Sequence, residues 1–116
     1  MDPEKQAALR ELQTTYVTTS NALKQLDAQR RASEVALRRA VITAAELDSL
    51  PPEAATYRNL GKAYVLTPKE TVMAWLEDVA GKADKDIKGA AGRKEALEGQ
   101  LSRTEKEMKE VLGIKA

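Results

Sequence analysis

The chain has 116 residues, of which 19 are basic and 18 acidic, giving a net charge of +1, and it contains neither cysteine nor histidine. Disulfides and thiolate chemistry are therefore excluded. The even spread of charge, 8 residues of each sign up to position 60 and 11 basic against 10 acidic beyond it, offers no concentrated field for phosphates. With three tyrosines, one tryptophan and no phenylalanine, a compact core enclosing a pocket is not expected. The alanine, leucine, lysine, glutamate and arginine that dominate are the composition of a coiled coil.

The first element is a helix predicted over 2–48. Asp2 suits the N-cap, Pro3 the first helical position, and Glu4 the positive end of the helix. Alternating steps of three and four mark an apolar seam: Leu9, Leu12, Tyr16, Thr19, Leu23, Leu26, Arg30, Ser33, Leu37, Ala40 and Ala44. Such a narrow stripe, sustained over many repeats, requires a second helix to cover it. The segment has no internal glycine or proline, and Pro51-Pro52 ends it.

A β-hairpin is predicted over 55–66. Tyr57 on one side and Tyr64, Val65 and Leu66 on the other are strand formers flanking Asn59-Leu60-Gly61, residues that tolerate a turn. Extended strands would place Tyr64 and Leu66 on one face and Val65 on the other. A two-stranded hairpin alone is marginal in water, so this one calls for strands from other chains. The centre is expected to be an oligomerisation element.

A second helix is predicted over 68–112. Thr67 as cap, Pro68 at the first position and Glu70 completing a capping box mark its start, and Gly113 its stop. Its seam reads Met73, Leu76, Ala80, Ala83, Ile87, Ala90, Lys94, Leu97, Leu101, Thr104, Met108 and Val111. Four glycines (Gly81, Gly89, Gly92, Gly99) fall off that seam and soften the helix without breaking its register. The fold class is thus mainly α. The whole chain, 1–116, is expected to be one domain in which a long antiparallel two-helix coiled coil turns on a single β-hairpin.

No catalytic, cofactor-binding or metal-ligating constellation is evident. Carboxylate runs such as Asp84-Lys85-Asp86 alternate with lysine and read as solvated, salt-bridging helix faces. Arg30-Arg31 and Arg38-Arg39 are interleaved with Asp27, Glu34 and Glu46, which favours a charged outer face with a polar seam position at Arg30 over nucleic-acid binding. No run approaches the roughly 18 continuous apolar residues of a membrane span. The acidic start shows no secretory signal, so a soluble, intracellular protein is expected.

Two places remain where function could reside. Tyr57, Leu60, Gly61, Tyr64, Val65 and Leu66 read as an interface, because so small a hairpin has no core of its own. At the other end, Ala7, Ala8, Leu9 and Leu12 should approach Met108, Val111, Leu112 and Ile114. These residues either finish the coiled coil or fray to offer adaptable apolar surface to a non-native client.

The run Tyr57-x-x-Leu60-Gly61-Lys62-x-Tyr64-Val65-Leu66-Thr67, set between two long helices, resembles the hairpin signature of a prefoldin subunit of the β class. That class has one hairpin where the α class has two. Tyr64 stands where the family usually has phenylalanine. The resemblance implies a cytoplasmic hetero-hexamer of two α-class and four β-class subunits whose hairpins join in β-barrels. It further implies capture of unfolded proteins, actin and tubulin among them, and delivery to the group II chaperonin without ATP, enzyme activity or cofactor. On this sequence Tyr57, Leu60, Gly61, Tyr64, Val65 and Leu66 would serve assembly. Leu9, Leu12, Met108, Val111 and Leu112 would form the client-binding tip. The alternative is a structural coiled-coil adaptor that shares the helices and captures nothing.

Overall fold

The computed structural model describes residues 2–113, so Ile114 of the expected helix-end cluster lies outside the described residues. Four elements follow in chain order: α1 (Pro3–Asp48), β1 (Tyr57–Leu60), β2 (Ala63–Leu66) and α2 (Lys69–Leu112). The fold is an antiparallel two-helix coiled coil with a single two-stranded hairpin at its turn.

The ends of α1 and α2 obey local chemistry. The Asp2 carbonyl accepts the first intrahelical bond, from Gln6 N–H at 3.0 Å, and its Oδ1 accepts from Glu4 N–H at 3.0 Å. Asp2 is therefore the N-cap, with Pro3 at the first helical position. Gly113 ends α2 with φ +75° and its N–H on the Glu110 carbonyl, a left-handed stop that glycine adopts without steric cost.

The capping box expected at Thr67 does not form. The Pro68 carbonyl, not that of Thr67, accepts the first bonds of α2, from Thr71 and Val72 N–H. The Thr67 hydroxyl turns back and donates to the Val65 carbonyl at 2.9 Å. Thr67 belongs to the base of the hairpin, its N–H and carbonyl both paired with Thr56, so the helix begins one residue later than the capping box requires.

The chain divides into two compact units, Met1–Arg30 with Lys88–Ala116, and Arg31–Ile87. In the second, Ala40, Val72 and Leu76 form the buried centre, with Ala44, Leu47, Met73, Val79 and Ala80 packed against it. In the first, Thr19, Leu26, Ala90 and Thr104 are buried. All eleven predicted seam positions of α1 are buried or half-buried, as are those of α2 except Lys94. Lys94 is exposed, its Nζ 3.8 Å from Glu98. A strongly hydrated ammonium on a long stem reaches water sooner than it enters a seam.

Val72 was not among the predicted seam positions, yet it is buried while its neighbour Met73 is half-buried. Val72, Leu76, Val79 and Ala83 also follow steps of four and three. At the start of α2 the buried stripe is thus wider than one heptad seam, as expected where a helix packs on more than one neighbour.

The deepest seam sites hold mostly small side chains, namely Thr19, Ala40, Ala83, Ala90 and Thr104 alongside Leu26 and Leu76. Among the described residues no side chain is fully sealed from solvent. Stability is therefore spread thinly along both helices, and no single region dominates it.

Candidate functional site

The hairpin is where the sequence departs from coiled-coil logic. Its register pairs Tyr57 with Leu66, Arg58 with Val65, Asn59 with Tyr64, and Leu60 with Ala63. Asn59 and Leu60, expected in the turn, are strand residues, and the turn consists of Gly61 and Lys62. Gly61 has φ +73°, and no non-glycine residue has positive φ among the described residues. One positive φ at the first of two central positions is the pattern of a type II′ turn, whose twist matches that of the flanking strands. Glycine is needed there, and with the turn at Gly61-Lys62 the strand β1 continues through Asn59 and Leu60.

This register sorts the side chains into two faces, because directly opposed residues share a face and successive ones alternate. Tyr57, Asn59, Tyr64 and Leu66 lie on one face; Arg58, Leu60, Ala63 and Val65 lie on the other. Apart from Asn59 the first face is apolar, and it is open, with Tyr57 60%, Tyr64 73% and Leu66 64% exposed. The six hairpin residues singled out from sequence are thus brought into one element and then divided: Tyr57, Tyr64 and Leu66 on one face, Leu60 and Val65, 56% and 44% exposed, on the other, and Gly61 in the turn. Among the described residues no third strand pairs with either edge.

The base of the hairpin is tied. Thr56, buried at 7% exposure, accepts from Thr67 N–H at 2.9 Å and donates its hydroxyl to the Thr67 carbonyl. Behind it, Lys69 Nζ donates to the Leu50 carbonyl at 3.5 Å. The face opposite Tyr57, Tyr64 and Leu66 meets α2 through a contact that heptad periodicity does not reveal. The Arg58 guanidinium lies 4.8 Å from the ring centroid of Trp75 on α2. One signal was available: Trp75 stands off the heptad seam, so helix pairing gave it no role.

The helix ends present a different picture. Leu9, Leu12, Met108 and Val111 are half-buried in the seam, and so is Ala8. Leu112 is 45% exposed, and Ala7 is exposed. Four of the five expected tip residues therefore help to close the coiled coil, and Leu112 alone of the five is largely open. Among the described residues no group of acidic side chains is arranged to hold a metal ion, and no helix is long and apolar enough to cross a membrane.

Comparison with known proteins agrees with this architecture. The sequence profile of the family described as "Prefoldin subunit" matches residues 10–114. Prefoldin subunit 1 of Arabidopsis thaliana is 32% identical over 111 residues, covering 96% of this chain and 87% of that protein. A probable prefoldin subunit 1 of Dictyostelium discoideum is 28% identical, covering 94% of each. The crystal structure of the prefoldin beta subunit from Thermococcus strain KS-1 superposes with a TM-score of 0.72 at 22% identity, over 96% of this chain and 94% of that one.

Proposed function

The chain belongs to the prefoldin subunit family, with the single-hairpin fold of the β class, and from that membership we propose that it is one subunit of an ATP-independent chaperone. In this reading it assembles with two α-class and other β-class subunits into a hetero-hexamer in the cytoplasm. The assembly captures unfolded proteins, actin- and tubulin-like clients among them, and passes them to the group II chaperonin.

One observation carries the proposal: a two-stranded sheet too small to stand alone holds Tyr57, Tyr64 and Leu66 out to solvent on one face. Open edges and an apolar face are what strand addition by neighbouring subunits uses, the backbone supplying hydrogen bonds and the side chains selectivity. Exposed apolar surface of this kind on a small chain calls for a partner.

Client capture is proposed for the helix ends, where Leu9, Leu12, Met108, Val111 and Leu112 lie. Helix termini open at little free-energy cost, and half-buried leucine, methionine and valine there become available to an unfolded chain when they fray. Each contact is weak and tolerant of sequence. Several arms acting on one client gain avidity through effective concentration.

Two experiments separate assembly from capture. Mixed with α-class and other β-class partners, the chain should enter a defined hexamer by native mass measurement, and Tyr64→Asp should abolish its entry by placing a charge in the joined face. Trimming the arms to Thr19 and Leu101 should leave the hexamer intact and remove its ability to suppress aggregation of a denatured client. Unchanged protection would sink the helix-end model and leave an adaptor that assembles without capture.

A further inference from the structure

A hairpin that joins a partner's sheet must be held at a definite angle, and strands of four residues have no core with which to hold themselves. The hydrogen bonds between Thr56 and Thr67 fix its base. Both bonds lie at one end of the ladder, so the strands beyond remain free to swing about that line. A second point of attachment has to come from further along the hairpin.

Arg58 provides it. It is the one residue of β1 that is not exposed, and it lies on the face opposite Tyr57, Tyr64 and Leu66. Its guanidinium sits over the ring of Trp75, 4.8 Å from the centroid. Trp75 remains 42% exposed and lies off the seam, so helix–helix packing does not explain its presence. A cation over an aromatic face is drawn by the ring quadrupole, most strongly for tryptophan, and the flat guanidinium can stack where an ammonium cannot.

We propose that Arg58 and Trp75 are positioning residues for assembly. Their stack latches the inner face of the hairpin to α2 and so presents the Tyr57–Tyr64–Leu66 face to incoming strands. The inference rests on the proposed assembly through the hairpin. Without the latch the joining orientation is one of several, and the apparent affinity falls by the fraction of chains that still adopt it.

Trp75 is the single tryptophan of the chain, so its fluorescence reports the latch directly. The variants are Arg58→Met, which keeps a long apolar stem without the cation, Arg58→Lys, Trp75→Leu, and the double change Arg58→Met with Trp75→Leu. Three quantities are measured: acrylamide quenching of Trp75 in the chain alone, the Kd for assembly with an α-class prefoldin partner, and the unfolding temperature of the helices. Arg58→Met should make Trp75 more accessible to acrylamide and weaken assembly about 3- to 30-fold, with the helices melting as before. Arg58→Lys should restore part of both effects. The double variant should assemble no worse than either single one, because the two residues act through one contact.

Quenching unchanged by Arg58→Met overturns the latch. Increased quenching with unchanged Kd overturns its orienting role, and additive losses in the double variant show that Arg58 and Trp75 act separately. Should the unaltered chain fail to join an α-class partner, the assembly reading falls and the orienting role with it, while the quenching result still decides whether the latch exists.

Discussion

Replacing Gly61 tests how far assembly depends on one backbone angle. Gly61 opens the two-residue turn at φ +73°, and a Cβ placed on it would meet nothing within 4 Å. A side chain there brings no clash. Its cost is that of holding an L-residue in the left-handed region, about 1–2 kcal/mol. The hairpin is marginal by itself, so nothing local absorbs that cost, and the population with the turn formed falls by about 5- to 30-fold once the formed state is no longer dominant. Asparagine visits left-handed geometry more readily than alanine, and β-branched valine hardly at all. Affinity for an α-class partner should therefore fall in the order Gly61, Gly61→Asn, Gly61→Ala, Gly61→Val. Sedimentation of the mixed subunits over a concentration series measures it, with circular dichroism melting alongside to show that the helices are unaffected. Wild-type affinity for Gly61→Ala, or an asparagine variant as weak as the valine one, would refute the argument, because neither fits a cost arising from φ alone.

Other expectations concern the helices. At Gly81, Gly92 and Gly99 an added methyl group would meet nothing within 4 Å, so each change to alanine should stabilise α2 by about 1 kcal/mol and the triple variant should melt several degrees higher; an unchanged melting temperature would mean that these sites are not helical in solution. Leu76, 6% exposed against Ala40 and Val72, should cost about 2–5 kcal/mol on truncation to alanine, read as a lower denaturation midpoint with unchanged slope. Lys94, exposed with its Nζ 3.8 Å from Glu98, should change to leucine with a shift in stability of no more than about 0.5 kcal/mol, read from the denaturation midpoint, because an ion pair on the surface contributes little.

Much of this protein follows from local sequence. The arms are legible because the heptad pattern repeats many times along each helix, so misjudging one position, as at Lys94, leaves the rest intact. Asp2 and Gly113 are legible because caps are satisfied by atoms within a turn of the residue itself. The presence of a hairpin is legible too, from strand formers around a glycine. Thr67 shows the limit of such local signals: its capping pattern is complete in the sequence, yet its backbone is paired with Thr56 eleven positions earlier and the helix starts after it.

Which residues of the hairpin share a face was decided by tertiary structure. Side chains alternate with a period of two, so placing the turn at Gly61-Lys62 instead of over Asn59-Leu60-Gly61 decides which residues stand opposite each other. The sequence by itself determined that this chain would form a two-helix coiled coil with an undersized sheet, because periodicity and glycine–proline punctuation act over short distances. Only the folded structure decided that Arg58 meets Trp75, seventeen positions along the chain, and that Tyr57, Tyr64 and Leu66 are left facing outward. Those relations depend on the angle of a strand against a helix, which no local pattern encodes.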